Sequence, residues 1–282
     1  MTNPEIQTPE FKTAAPIESV HQAAWQLAWS PRYKKTTIWI IVISGIISIP
    51  FFNPIPLVVV CGIYFAYLHT KAEKWFFEQF ADANNLNYSE SAPIESVKGR
   101  LFDVGHGKEI SNVVSGIHQS HPVRLYHYSY SVGGGKNQRT YNFTVFEITF
   151  EKTVFPHILL QSRTMWKYGS EDNSGEVQDI ELSLEGEFSK SYRLYSTQKY
   201  EIEILQIFTH EVLQFLKQNG PELSIEFAEN KMYIYDDRAI SNRKQLDAMY
   251  NVAQKIFDSI GPLLNRLHDD FAALHEYYGN KS

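Results

Sequence analysis

The stretch from Thr36 to Leu68 contains no charged residue, although 21% of the whole chain is charged. Asn53 and Pro54 divide it into two apolar runs. A helix that crosses a membrane needs about 20 predominantly apolar residues, with a range of about 17 to 25. The first run meets this range, and the second meets it once the following helical turn is added. An Asn-Pro pair between two apolar runs favours a turn. The sequence therefore predicts a two-pass helical hairpin over residues 36–70, with a shallow re-entrant hairpin as the alternative.

Positive charges flank both ends of this hairpin, and the connecting turn carries none. The flanking cations are Arg32, Lys34, Lys35, Lys71 and Lys74. Because Lys and Arg are retained on the cytoplasmic side of a membrane, both termini are predicted to be cytoplasmic. A cleaved signal peptide is not predicted, since about 35 mostly polar residues precede the first apolar run.

The region before the hairpin divides into a tail and a helix. Residues 1–15 are rich in Thr, Pro and Glu, a composition that predicts disorder. Residues 16–30 show helical spacing of apolar side chains, with Trp25 and Trp29 one turn apart. This helix either lies on the inner leaflet as an interfacial helix or docks on the protein itself. The predicted organisation is a tail with an interfacial helix over 1–35, the transmembrane hairpin over 36–70, and a cytoplasmic domain over 71–282.

The cytoplasmic domain is predicted to be α+β. The second membrane helix continues to about Asn84. Residues 122–132 and 141–150 alternate in polarity on either side of a glycine-rich turn, which predicts a long hairpin. Other predicted strands cover 112–118, 157–161, 177–184, 223–228 and 231–235, and a strand ends at Leu101; predicted helices cover 200–218, 242–260 and a final segment to Tyr277. Strands followed by helices predict a mainly antiparallel sheet with helices packed on one face.

Familiar catalytic and metal-binding motifs are absent from the sequence. Gly133-Gly134-Gly135-Lys136 lacks the Ser or Thr and the following helix of a phosphate-binding loop. His210-Glu211 lacks the second His of the HExxH zinc motif. Cys61 is the one cysteine, which excludes an intrachain disulfide. A net charge of -6 argues against nucleic-acid binding. We therefore predict no catalytic residue, no metal and no cofactor, and lean against an enzyme.

Two groups of residues remain as candidates for function. Tyr126, Tyr128 and Tyr130 share one face of a strand, where tyrosines form a binding surface or pack within the core. Lys136 and Arg139 lie at the adjacent hairpin tip, where they either contact lipid headgroups or a partner, or are simply solvated. His106 and His127 are candidates for a polar site, provided that the fold brings them together.

Several segments resemble a family of uncharacterised bacterial membrane proteins. They are 80–88, Gly99-Arg100-Leu101-Phe102, Gly105-His106-Gly107, 112–116, the tyrosine-rich strand that leads into Gly-Gly-Gly-Lys, 188–195, the helix near 200–216 and the hairpin at 223–235. The resemblance covers about residues 36–265. It implies a two-helix transmembrane hairpin followed by a cytoplasmic domain of unknown function, and it implies no activity or site residue.

These observations predict a membrane-tethered cytoplasmic interaction or ligand-binding module in the bacterial inner membrane. Membrane lipids are its predicted partners and a membrane protein is a candidate partner; the sequence gives no information on the oligomeric state. Two alternatives stay open, namely an enzyme acting on a lipid or membrane-near substrate and a structural subunit of a membrane complex. A tether favours the first interpretation because confinement raises the effective concentration of nearby partners.

Overall fold

The computed structural model describes residues 11–49, 54–151, 153–165, 179–182, 184, 187–197 and 201–261. The helices are α1 (Val20–Ala28), α2 (Lys34–Ser48), α3 (Ile55–Ala83), α4 (Arg100–Asp103), α5 (Phe188–Ser191), α6 (Glu201–Ile207), α7 (His210–Asn219) and α8 (Arg243–Ile260). The strands are β1 (Asn87–Ala92), β2 (His106–His118), β3 (His121–Val132), β4 (Arg139–Thr149), β5 (Phe155–Ser162), β6 (Asp179–Leu182), β7 (Tyr192–Thr197), β8 (Ser224–Glu229) and β9 (Lys231–Asp236).

The strands form one antiparallel sheet in the order β1-β2-β3-β4-β9-β8-β5-β7-β6. The predicted α+β class and the predicted hairpin of β3 and β4 are confirmed. Gly133 and Gly135 lie at φ values of +79° and +57° in its turn, a conformation that glycine adopts at the lowest cost. The predicted hairpin about Glu229 and Asn230 is confirmed as β8 and β9.

One face of the sheet packs against the longer helices, as predicted. Val123 and Leu125 of β3 point to this face and join a large apolar cluster. Helix α3 contributes Phe76, Phe77 and Phe80 to the same cluster, and α1, α6, α7 and α8 contribute further buried side chains. Phe and aliphatic side chains fill this layer, so the layer is held mainly by burial of apolar surface.

The opposite face is covered by the connection between β1 and β2. This covering segment, residues 93–104, contains the short helix α4 and packs over a cluster rich in tyrosine. Leu101 therefore lies in a helix and not at the end of a strand, which corrects the prediction for that residue. Gly99, at a φ of +132°, has its α-carbon against the sheet, because an added Cβ would lie 3.0 Å from the side chain of Glu226.

The amino-terminal segment is ordered from Phe11 onward, where the composition predicted disorder. The Phe11 side chain is 2% exposed and packs edge-on against Phe80 and Phe146. Asn84 fixes the next turn of chain by hydrogen bonds to the backbone N–H and C=O of Ala14. Phe11 and Asn84 together hold this segment against the domain. A single aromatic residue has little weight in an overall composition, so the composition did not predict this contact.

Two further predictions differ from the structure. The single helix predicted over 200–218 is divided into α6 and α7, because the Thr209 side chain accepts a hydrogen bond from the Val212 N–H and caps a new helix. Strands β1 and β7 were not predicted as strands. The predicted loop at 166–176 and the predicted final helix to Tyr277 lie outside the described residues.

Candidate functional site

Helix α3 has two halves with opposite surroundings. Its first half exposes Ile55, Val58, Val59 and Ile63, although these side chains would favour burial. Its second half is buried beneath the sheet through the phenylalanines named above. Within the described residues, α3 is the one helix that is long and apolar enough to cross a membrane. The 15 described residues of α2 fall short of that length.

Helices α2 and α3 nevertheless pack side by side in antiparallel order. The hydroxyl oxygens of Thr37 and Tyr64 lie 2.9 Å apart near one end of the pair. At the other end, the Leu57 N–H donates to the Ser48 hydroxyl at 3.1 Å. Ser44 donates to the Ile40 carbonyl oxygen at 2.6 Å. These polar groups are satisfied inside the pair, as an apolar environment requires.

Helix α1 docks along α3. The Trp25 ring centroid lies 5.9 Å from that of Phe65, and the Thr37 hydroxyl donates to the Ala28 carbonyl oxygen at 2.8 Å. Trp25 and Trp29 remain 50% and 49% exposed. Helix α1 therefore contacts α3 while both indole rings stay half exposed beside the exposed half of α3.

The flanking cations lie at the domain end of the helix pair. Arg32, Lys34 and Lys35 are exposed at the start of α2. On α3, the Lys71 ammonium lies 6.0 Å from the centre of the Tyr67 ring. Because α2 and α3 are antiparallel, the two groups of cations that flank the apolar runs come to the same end. Aromatic rings next to cations are typical of a membrane–water boundary.

The tyrosine stripe is internal. Tyr126, Tyr128 and Tyr130 are each 0% exposed, so the stripe does not form an exposed binding surface. Tyr126 donates to the Glu147 carboxylate at 3.1 Å, whereas no described residue partners the hydroxyls of Tyr128 and Tyr130. Burial raises the pKa of all three phenols, so they remain neutral hydrogen-bond donors at physiological pH.

Two buried glutamates hold the covering segment to the sheet. Glu147 binds Arg124 at 2.6 Å and Lys231 at 2.9 Å, and both cations also donate to Ser96 of the covering segment. Glu226 is 0% exposed.

The second glutamate, Glu226, contacts both the covering segment and the sheet. Its carboxylate accepts from the Arg100 N–H at 2.5 Å and lies 2.7 Å from the His157 Nε2. The pKa of Asp103 is raised by partial burial and by the charge of Glu226. Sequence reasoning missed both glutamates, since they occupy strand positions that also suit a solvated face.

The two candidate histidines are not brought together. His127 is buried on the helix-covered face, where its Nδ1 lies 2.7 Å from Glu73 and its ring contacts Phe77. His106 is exposed, and its Nε2 lies 2.8 Å from the Gly133 carbonyl oxygen. His106 pairs with Ser131, four residues along β3 from His127. The predicted polar site is therefore not assembled from these two residues.

Lys136 and Arg139 are both exposed at the tip of the β3–β4 hairpin. In the part of the chain that the structure describes, no group of three or more His, Cys, Asp or Glu side chains could hold a metal ion.

The comparisons with known proteins identify a likeness of fold. No family model and no curated protein matches the chain. The crystal structure of the mycobacterial trehalose monomycolate transport factor A, TtfA, is similar to it with a TM-score of 0.51 and 13% sequence identity. The match covers 67% of this chain and 95% of that chain. At this identity the likeness concerns the fold alone. The domain is α+β, and its fold is similar to that of a bacterial transport factor.

Proposed function

We propose that this chain is a membrane-tethered, non-catalytic accessory module in which α2 and α3 cross the bacterial inner membrane as a hairpin. The observation that carries the proposal is the division of α3. One uninterrupted helix exposes aliphatic side chains over its first half and enters the core of the domain with its second half. Such a helix would link the domain rigidly to a bilayer, unlike a flexible tether.

Two crossings are supported by the pairing of α2 with α3 and by the charge distribution. From Ile55 to Thr70, α3 rises about 24 Å at 1.5 Å per residue. This length is a few Å less than the roughly 30 Å hydrocarbon core, a mismatch that local thinning of the bilayer can absorb. All flanking cations lie at the domain end, and this distribution supports a cytoplasmic domain with both termini cytoplasmic under the positive-inside rule.

An accessory role is supported by the fold and by the surface of the domain. The similar crystal structure is that of a protein described as a transport factor. Among the described residues, the buried Glu147 and Glu226 are engaged in the contacts of the covering segment, and the buried Asp236 pairs with Arg238. A domain held at the membrane meets partners there at high effective concentration, so we expect a membrane protein as the partner.

The test is the distribution of full-length variants between membrane and soluble fractions. A double variant, Val59→Lys with Ile63→Lys, places two charges on the exposed half of α3. Each charge at a helix centre opposes insertion by about 2.5–3.5 kcal/mol, so the variant should move from the membrane to the soluble fraction. Val154→Lys, at a 60% exposed residue of the domain, is the matched control and should remain with the membrane.

Reporters and co-purification complete the test. Cytoplasmic signals from reporters at both termini exclude a single crossing, whereas an external signal at one terminus means that a single helix crosses. Retention of the double-lysine variant in carbonate-washed membranes would refute α3 as the anchor. A stoichiometric membrane protein that co-purifies with wild-type chain, and is lost with the double variant, supports the accessory role.

A further inference from the structure

The tip of the β3–β4 hairpin carries two cations that the domain does not use. Residues 133–139 are all exposed. Neither Lys136 nor Arg139 forms an ion pair or a side-chain hydrogen bond with a residue that the structure describes. Val132, at the base of the tip, is a 42% exposed apolar side chain. The tip therefore presents positive charge and an apolar residue together.

The direction of the hairpin follows from its contacts with α3. Near the end of α3, Phe80 packs against Phe11, whose N–H donates to the Ile117 carbonyl oxygen on β2. Seven residues earlier on α3, Glu73 accepts a hydrogen bond from Asn112, five residues earlier on β2. Followed in this direction, the sheet and α3 both run toward the exposed apolar half of the helix.

The remaining length of the hairpin brings its tip to the membrane boundary. Since β2 is bulged on both sides of Ser111, the length is taken from β3: from His127, which also contacts Glu73, to Val132, β3 covers about 17 Å at 3.3–3.4 Å per residue. From Glu73 to Phe65, α3 rises about 12 Å. The base of the tip thus extends past the level of Lys71, where the proposed crossing ends, and as far as Phe65 if strand and helix are inclined by up to about 40° to each other. Phe65 contacts Trp25, so the tip reaches the layer between the flanking cations and the outward-facing tryptophans.

We propose that the hairpin tip docks on the bilayer through Lys136 and Arg139, which bind the phosphate groups of anionic phospholipids. This contact rests on the proposed tether and adds a second point of attachment, away from the helix axis. The whole chain carries a net charge of -6, so an anionic surface attracts these two cations and repels most of the domain. The tip, the flanking cations of α2 and α3, and the two tryptophans would then define one membrane-facing side of the domain.

The experiment measures how close two matched positions lie to the headgroups. In a Cys61→Ala background, Asn137→Cys at the tip and Asn230→Cys in the β8–β9 turn receive the same fluorophore. Asn230 is the matched control, because its turn adjoins Thr149 and Lys231 at the opposite end of the sheet. The full chain is placed in nanodiscs of phosphatidylcholine with phosphatidylglycerol, and the quencher is a lipid with a spin-labelled headgroup.

We expect strong quenching at residue 137 and little at residue 230. Lys136→Gln with Arg139→Gln should lower the ratio of docked to undocked tip by about 25-fold, from roughly fivefold for each cation. Discs of phosphatidylcholine alone should give a similar loss. Quenching at residue 137 that is no stronger than at residue 230, or that ignores both the lipid charge and the double variant, would overturn the contact. Co-elution of the chain with the discs tests the tether separately. A chain that does not co-elute with the discs would refute both the tether and the tip contact.

Discussion

The two faces of the sheet are closed by different physical means. The helix-covered face is sealed by Phe and aliphatic side chains on long helices, which bury apolar area without needing particular partners. The tyrosine face is closed by the covering segment, which is anchored by specific bonds to Lys231, Glu226 and Tyr233. Apolar cores tolerate exchange of similar side chains, whereas a buried polar network fails when one member is left unpaired.

Substitutions in the charge network around Glu147 should have the largest effect on the free energy of unfolding. Arg124→Met with Lys231→Met leaves the Glu147 carboxylate buried without a cation, which should lower the free energy of unfolding by about 3–5 kcal/mol. Adding Glu147→Leu removes the stranded charge and should restore most of this loss. Denaturant unfolding of the full chain in detergent measures both. If the triple variant is as unstable as the double variant, the loss does not come from the unpaired Glu147 carboxylate. The charged groups would then contribute stability of their own.

A glycine pair tests how tightly the tyrosine face is packed. Gly105 and Gly107 both have positive φ, +72° and +60°, so alanine at either position should cost about 1–2 kcal/mol from backbone strain. A Cβ at Gly105 would lie 2.5 Å from the Tyr130 ring, whereas at Gly107 it would meet nothing within 4 Å. Gly105→Ala should therefore be the less stable variant by about 1–3 kcal/mol, as measured by thermal unfolding. Equal stabilities would mean that both the Tyr130 ring and the Ser131 carbonyl oxygen, 2.6 Å from the same added Cβ, can shift at little cost.

The smallest expected difference separates two neighbouring tyrosines. Tyr126→Phe removes a hydrogen bond to a carboxylate and should cost roughly 1.5 kcal/mol. Tyr128→Phe removes a buried hydroxyl that no described residue partners, and should change the free energy of unfolding by less than about 0.5 kcal/mol or increase it slightly. Denaturant midpoints of the two variants, compared with wild type, decide the point. A clear loss for Tyr128→Phe would reveal a bound water or ligand on that hydroxyl.

Elements with a self-contained pattern could be predicted from the sequence. Alternation and a glycine turn located β3 and β4, and helical spacing located α8 to within a residue of its bounds. The orientation of the tyrosine stripe, opposite to Val123 and Leu125, also followed from alternation alone. In each case the signal lies within one element, so no knowledge of the fold is required.

The contacts between polar side chains on different strands depend on the order of the strands in the sheet, which the sequence does not reveal. His157 and Glu226 are 69 residues apart and meet only because β5 pairs with β8. The separation of His106 from His127 likewise follows from register. The break between α6 and α7 had a local signal in Thr209, a favourable capping residue, which was outweighed by the continuing apolar spacing on both sides.

The bond between Phe11 and α8 has a consequence for how the domain is made. The Tyr250 hydroxyl donates to the Phe11 carbonyl oxygen across 239 residues, and Phe11 also packs against α3 and β4. In the topology that we propose, α2 and α3 would enter the bilayer during synthesis, long before α8 leaves the ribosome. The amino-terminal segment must then wait for its last partner, and long-range closure of this kind slows folding. We therefore expect membrane insertion to precede completion of the domain, with the embedded hairpin acting as a fixed base for its assembly.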